Sequence, residues 1–356
     1  MYDYLWLNAS LSNGGSERVM TLLANAFAER GLKSKMVLLR AGKDGTYATS
    51  PKLTVQQMTY QTKNRALLFL IRWRRIRKMV RKEKPKCVIC FMWDLNALTL
   101  LACLGLKCKV LVSERAYPPM ARQGLHRWFT EHCLYRTAHR VVFQTEQVKQ
   151  FFTDQVKRRS VVIPNPINAE IREPWEGERK KEVVSAGRFV NQKNFSLLMR
   201  SFAAFRGTHP EWKLTIYGDG RLREKLETEA KELGIDDAVS MPGFVENLPD
   251  RMRESGMYVS SSDFEGISNV MLEAMASGLP SICTDCPVGG ASLAIQDGVN
   301  GLLVPVGGER EITAAMGRIA DEPEMAARIG REAVKVRERF SIDTIVQKWV
   351  DACEAK

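Results

Sequence analysis

The sequence predicts an α/β protein of two doubly wound, parallel-sheet domains. Three observations carry that prediction. Short continuous apolar runs, suited to strands buried on both faces, alternate with helical patterns. The 356 residues exceed what one hydrophobic core usually supports. The alternation stops at a polar, charged, proline-containing stretch over residues 168–181 and then starts afresh.

Tyr4-Leu-Trp-Leu7 reads as the first strand. Asn13-Gly14-Gly15-Ser16 is a turn, and residues 17–30 form a helix that Gly31 ends. Lys35-Met-Val-Leu-Leu39 is the second strand. A basic helix follows, then strands at Lys86–Met92, Lys109–Ser113 and Arg140–Gln144, with Val161–Ile167 closing the series. The second series begins at Glu182-Val-Val-Ser-Ala186 and continues at Trp212–Tyr217, Val239–Met241, Met257–Ser260 and Pro280–Cys283. Helices fill residues 309–355. The expected division is 1–167, 168–335, and a C-terminal helix in 336–356 that packs back on the first domain. A cleft between the domains is expected, with ligands beyond the carboxyl ends of the strands.

Composition narrows the function. No run reaches the roughly 18 apolar residues of a membrane span. The opening Met-Tyr-Asp-Tyr-Leu-Trp-Leu lacks the charged region and cleavage site of a signal peptide. The eight cysteines are scattered and histidines number four, so no zinc site is expected and reduced cytosolic thiols are. The net charge of +12 calls for an anionic partner. Cations concentrate between Lys63 and Lys86, including Arg72, Arg74, Arg75, Arg77, Lys78, Arg81 and Lys82, with Leu67, Leu70, Trp73 and Ile76 interleaved. This reads as a basic amphipathic helix that can lie on anionic lipid headgroups, or as a surface helix packed on a sheet with solvated arginines; both can hold.

Glu265-Gly-Ile-Ser-Asn-Val-Met-Leu-Glu273-Ala-Met-Ala-Ser-Gly278-Leu-Pro280 places two carboxylates eight positions apart, around a loop that opens into an apolar helix. Ser268 or Asn269 caps that helix, Glu273 lies about one turn inside, and Gly278 stands at its end. A helix start offers N–H groups and partial positive charge, which suits phosphate; an ordinary capped helix with solvent-facing glutamates is the competing reading. Ser185-Ala-Gly187-Arg188-Phe-Val-Asn-Gln-Lys193-Asn194 lies between a strand and a helix. Arg188 offers a planar fork and Lys193 a point charge for a diphosphate, or both are solvated cations of a surface loop. No Walker loop is present. The Gly14–Gly15 turn lacks the full dinucleotide fingerprint. Tyr217-Gly-Asp-Gly220 and Pro242-Gly-Phe244-Val245 read as turns.

In this order the motifs resemble the retaining GT-B glycosyltransferases of glycosyltransferase family 4. The carriers are Gly-Arg-Phe-x3-Lys-Asn, Tyr-Gly-Asp-Gly, Pro-Gly-Phe-Val, the Glu265-x7-Glu273 segment and Asp297-Gly-Val-Asn-Gly-Leu-Leu-Val-Pro305, strongest over residues 182–305. Thr284-Asp-Cys-Pro-Val-Gly-Gly-Ala291 is similar to enzymes building bacterial capsular, O-antigen or lipid-linked glycans. The resemblance implies two Rossmann-like domains facing a central cleft. It implies transfer of a hexose or N-acetylhexosamine from a nucleotide-diphosphate sugar, UDP-sugar by prevalence, to a lipid-linked saccharide. Arg188 and Lys193 would hold the diphosphate, with the N–H groups around Gly266, Ser268, Asn269 and Val270. Glu273 would accept from ribose, and Glu265 would contact the transferred sugar. Phe244 and Val245 would border the base. Gly187 would allow close approach, and Gly14 and Gly15 would close the site from the first domain. Where many members carry a histidine, this chain reads Val112-Ser-Glu114-Arg115-Ala-Tyr-Pro118, so Glu114 and Arg115 are the acceptor-side candidates. No Asp-x-Asp metal motif is visible, and no metal or other cofactor is expected. The expected location is the cytoplasm, peripheral on the inner face of the membrane. A GT-B epimerase or phosphorylase, and a basic nucleic-acid-binding protein, are the rival readings; recognition motifs for the latter are missing, so no nucleic acid partner is expected.

Overall fold

The computed structural model describes residues 2–12, 14–40, 47–115, 125–167 and 170–355. Two compact units result: Met1–Pro166 with Ile342–Lys356, and Ile167–Ser341.

The first unit carries a seven-stranded sheet of order β3-β2-β1-β4-β5-β6-β7, parallel throughout. Its strands are β1 Tyr4–Asn8, β2 Ser34–Leu38, β3 Thr54–Gln57, β4 Cys87–Phe91, β5 Lys109–Ser113, β6 Arg140–Phe143 and β7 Ser160–Val162. Its helices are α1 Gly15–Glu29, α2 Arg65–Glu83, α3 Trp93–Cys103, α4 Leu125–His132, α5 Glu146–Lys149 and α6 Asp154–Arg158. Strand β3 has no counterpart among the sequence expectations. Its Thr-Val-Gln-Gln run is exposed throughout, so it carries no apolar signal and exists by edge pairing to β2.

The second unit carries a six-stranded parallel sheet of order β10-β9-β8-β11-β12-β13. The strands are β8 Lys180–Ala186, β9 Lys213–Tyr217, β10 Val239–Gly243, β11 Ser255–Ser260, β12 Ser281–Thr284 and β13 Leu302–Val304. The helices are α7 Phe195–Arg206, α8 Arg223–Glu232, α9 Leu248–Met252, α10 Asn269–Ala276, α11 Gly290–Ala294, α12 Glu309–Asp321, α13 Pro323–Ala333 and α14 Val336–Arg339. Alternation along the strands builds a core on each face. Val183, Met257, Val259 and Ile282 join one cluster, while Val184, Tyr258 and Cys283 join the other. Both faces are therefore covered, which is why these strands read as continuous apolar runs.

The last helix, α15 Ile342–Glu354, belongs to the first unit. Trp349 is fully buried there, 5.3 Å from the Phe91 ring and 6.5 Å from Trp6. Residues read as a linker are tied into the second unit. Arg253 donates to the Glu173 carbonyl at 2.7 Å, and Arg337 pairs with Glu173 at 3.1 Å.

Helix α2 divides its cations between two roles. Asn64 caps it by accepting from the N–H groups of Ala66 and Leu67. Its side-chain burial is confined to Ile76 and Val80, while Leu67, Phe69 and Leu70 stay exposed in the first two turns. Three of the cations expected to face lipid donate to backbone carbonyls; Arg72 and Arg77 are half-buried and Arg75 stays exposed. Arg72 donates to the Leu39 carbonyl, Arg75 to that of Thr59, and Arg77 to those of Ala102 and Leu104. Long arginine stems reach orphan carbonyls at neighbouring element ends, which solvated side chains would not satisfy. Arg74, Lys78, Arg81 and Lys82 remain exposed. No described helix is long and apolar enough to cross a membrane.

Candidate functional site

The motifs singled out in the second half lie at the carboxyl ends of strands of one sheet. Gly187 follows β8, Gly218 follows β9, Phe244 follows β10, Glu265 lies in the loop after β11, and Cys286 follows β12. Backbone bonds lace the first three exits together. Gly187 donates to the Tyr217 carbonyl at 2.9 Å, and Gly218 to that of Gly243 at 2.8 Å. A Cβ on Gly218 would stand 2.0 Å from the Gly187 carbonyl oxygen, so no side chain fits there. The Tyr-Gly-Asp-Gly turn thus braces the Gly-Arg loop rather than merely ending a strand.

That loop passes through a 3-10 turn at Asn191–Lys193 into α7. Asn194, at φ 44°, caps α7 and also donates to the Asp263 carboxylate at 2.7 Å. Ser261 Oγ donates to the carbonyls of Lys193 and Asn194, and Gln192 Nε2 to that of Phe264 at 2.9 Å. The exit of β11 therefore holds the exit of β8 from several sides. The result is an ion pair: Lys193 Nζ lies 2.5 Å from Glu265 Oε2. The two side chains are 15% and 23% exposed, so the pair is sheltered but open to a ligand. Ser262 Oγ and Gln192 Nε2 stand 3.5 Å from the same carboxylate oxygen. Arg188 is exposed, and its guanidinium has no partner among the described residues.

Helix α10 begins as expected. Ser268 is its N-cap, its Oγ accepting from the Met271 N–H at 3.3 Å. Of the two capping residues considered, Ser268 takes the role and Asn269 opens the helix. The end is also as read: Gly278, at φ 69°, follows the C-cap. Glu273 is not solvent-facing. It is 2% exposed and packs inside the helix layer. Ser260, Glu265, Gly266, Ser268, Met271 and Cys286 are among the residues lining a slit of about 10 Å³. That is room for no more than about one water. Gly290 sits so close to this loop that a Cβ would fall 1.7 Å from the Gly266 carbonyl oxygen. Helix α11 is thereby seated against the Glu265 loop.

Thr284 Oγ1 donates to the Ser262 carbonyl at 2.6 Å, and Cys286 Sγ at 3.2 Å. Burial pushes the Cys286 thiol up to about 11 and the Cys283 thiol higher still. Both stay protonated at neutral pH, which removes them as nucleophiles. Among the described residues there is no group of three or more metal-type ligands. Gln192, Ser262 and Thr284 were not singled out from the sequence. Gln192 lies within the Gly-Arg-Phe-x3-Lys-Asn motif itself, which is the signal that marks it. Phe244 is exposed and Val245 half-buried just beyond β10.

In the first unit, Gly14 caps α1 after β1 and Gly15 opens that helix. A Cβ on Gly14 would meet the Glu17 carboxylate at 2.0 Å. Asn13 of this turn, and residues 116–118 beyond β5, lie outside the described residues. Glu114 and Arg115 are held inward. Glu114 is 2% exposed, accepts from Tyr135 Oη at 2.9 Å and lies 3.5 Å from Arg127 Nη2. Arg115 stacks 4.2 Å from the Phe91 ring centroid and donates to Ser113 Oγ and Asn165 Oδ1. Burial lowers its guanidinium to about 9, which leaves it charged at neutral pH.

Two family matches span this architecture. Residues 167–336 match "Glycosyl transferases group 1", and residues 13–171 match "Glycosyltransferase Family 4". The chain is a GT-B glycosyltransferase. This glycosyltransferase is 25% identical over 352 residues to the lipopolysaccharide core biosynthesis glycosyltransferase LpsD of Rhizobium meliloti, covering 96% of this chain and 95% of LpsD. It is 24% identical over 356 residues, 98% of each chain, to a Campylobacter jejuni alpha-1,4-N-acetyl-D-galactosaminyltransferase that acts on a GalNAc-containing, diphospho-undecaprenol-linked glycan. Anabaena HepE, solved with UDP and glucose, shares the glycosyltransferase's fold at a TM-score of 0.86, with 18% identity and full coverage of both chains.

Proposed function

We propose that this glycosyltransferase moves a hexose or N-acetylhexosamine from a UDP-sugar to a lipid-linked saccharide, with retention at the anomeric carbon, in bacterial surface polysaccharide synthesis. The observation that carries this reading is the Lys193–Glu265 contact of 2.5 Å beside the Ser268-capped start of α10. One cation, one carboxylate and a helix N-terminus at one point suit a group that is anionic at one end and hydroxylated at the other. The polysaccharide and lipid-linked relatives support the acceptor class.

Charge builds on the leaving diphosphate as the sugar departs. Arg188 and Lys193 meet that charge, and the N–H groups of Gly266 in the loop, the N-cap Ser268 and first-turn Asn269 and Val270 add to it. Lys193 holds Glu265 oriented toward the sugar hydroxyls. Glu273 takes the ribose end, and Phe244 and Val245 border the base. In the first unit Gly14 and Gly15 keep the backbone before α1 open to the donor, and Glu114 and Arg115 shape the acceptor side. The acceptor hydroxyl attacks from the face the diphosphate leaves, and its proton passes to the departing phosphate. Fixed cations do here what a divalent metal does elsewhere, so the reaction runs without one. The enzyme works on the inner face of the cytoplasmic membrane, held by α2.

A panel of nucleotide sugars with a pool of lipid-linked acceptors tests this by acceptor-dependent nucleotide release in the presence of a chelator. Release with a UDP-sugar is expected. No release with any donor overturns the transferase chemistry for these substrates, and a trapped glycosyl adduct on Glu265 overturns front-face attack.

A further inference from the structure

A second basic hollow lies in the first unit, at the opposite end of its sheet from the strand ends where ligands of such sheets bind. Arg136, Gln155, Arg158 and Arg159 line an open pocket of about 370 Å³. Arg136 lies in the 3-10 turn Leu134–Thr137 that leads into β6, and Arg158 and Arg159 lead from α6 into β7. The pocket therefore sits at the amino ends of two adjacent parallel strands. It is far larger than the slit beside Glu265.

Its frame is firm. Tyr135, Ala138 and Val156, which flank the arginines in sequence, are fully buried, and Val141 N–H donates to the Arg159 carbonyl at 3.1 Å. Arg159 also donates to the Ala138 carbonyl at 3.3 Å. Arg136 and Arg158 are exposed and have no hydrogen-bond or ion-pair partner among the described residues. The acid on the same turn, Asp154, is engaged by Lys157 at 3.4 Å. Three guanidinium groups and a carboxamide thus converge on one hollow with no carboxylate lining it. Like charges so placed repel, and a tetrahedral anion with several acceptor oxygens relieves that repulsion while using planar, bidentate donors. The amino ends of β2, β4 and β5 in the same sheet also carry exposed lysines, Lys33, Lys84, Lys86 and Lys107, of which Lys86 pairs with Asp3 at 3.3 Å.

We infer that Arg136, Arg158 and Arg159 form a second anion site that takes a phosphate group, separate from the donor-side cations of the other unit. The phosphate is either free, as in pyrophosphate, or carried on a lipid headgroup, and the chemistry of capture is the same.

The test uses the full chain with Arg188→Gln and Lys193→Gln, so that donor-side cations do not report. Calorimetric titration with inorganic pyrophosphate, at ionic strength held constant with sodium chloride, is compared with co-sedimentation on phosphatidylcholine vesicles containing phosphatidylglycerol. Adding Arg136→Gln and Arg158→Gln is expected to weaken one or both interactions at least about tenfold, the loss of one charge-assisted contact or more. Both side chains are exposed and unpartnered, so circular dichroism should show an unchanged fold. A loss confined to pyrophosphate identifies a soluble ligand, and a loss confined to vesicles identifies a lipid-borne one. Interactions that are equal with and without the two substitutions, or that never saturate, overturn the site.

Discussion

Lys193 is the residue on which the donor reading turns. Its Nζ is committed to Glu265, whereas the Arg188 guanidinium is free among the described residues. On the proposed reading, a diphosphate would meet one cation already neutralised and one that is not. Arg188→Ala is expected to lower kcat/KM about ten- to a hundredfold, the loss of a contact of about 1.5–3 kcal/mol to charge. Lys193→Ala is expected to cost more, because it also leaves Glu265 without its partner. Steady-state kinetics of both variants, with circular dichroism as a fold control, check this. Wild-type rates in both remove the diphosphate assignment.

Helix α2 shows how far periodicity carries at the scale of an element. Its existence and basic character were legible in the run from Arg65 to Lys86. Which cations are free was not, because Leu39, Thr59, Ala102 and Leu104 present carbonyls from distant segments that sequence spacing does not bring near. Arg74, Lys78, Arg81 and Lys82 are exposed with no hydrogen-bond partner among the described residues, and Leu67, Phe69 and Leu70 are exposed nearer the helix start. Replacing those four cations by glutamine is expected to weaken binding to anionic vesicles by about 1 kcal/mol per charge at low salt. Replacing Arg75 and Arg77 should lower thermal stability instead. Co-sedimentation and thermal melts separate the two sets, and unchanged vesicle binding in the fourfold variant leaves α2 a structural helix.

For the molecule as a whole, the buried polar cluster of the first unit matters most. Arg127 is 1% exposed, 2.7 Å from the Glu131 carboxylate and 3.5 Å from that of Glu114. Tyr135 donates to Glu114, and burial with that carboxylate pushes its phenol well above the usual range. Removing the shared cation takes the guanidinium away from two buried carboxylates. Arg127→Ala is expected to destabilise the first unit by about 3–5 kcal/mol, read as a lowered midpoint in chemical unfolding. A melt unchanged from wild type would show that water reaches the cluster. Glu114 is thereby a member of this network first, whatever part it takes beside the acceptor.

The sequence by itself determined the alternation of buried strands and helices, the restart after residue 181, a capped helix opening at Ser268 or Asn269 and the cations of the Gly-Arg loop. These are local: apolar period, capping chemistry and glycine placement act over a few residues. Tertiary structure alone decided which of these groups meet. The Lys193–Glu265 contact spans 72 positions and exists because β8 and β11 are neighbours in a parallel sheet. The burial of Glu273, the inward turn of Glu114, the edge strand β3 and the arginine hollow beneath β6 and β7 have the same origin. Each depends on strand order, which apolar period does not encode.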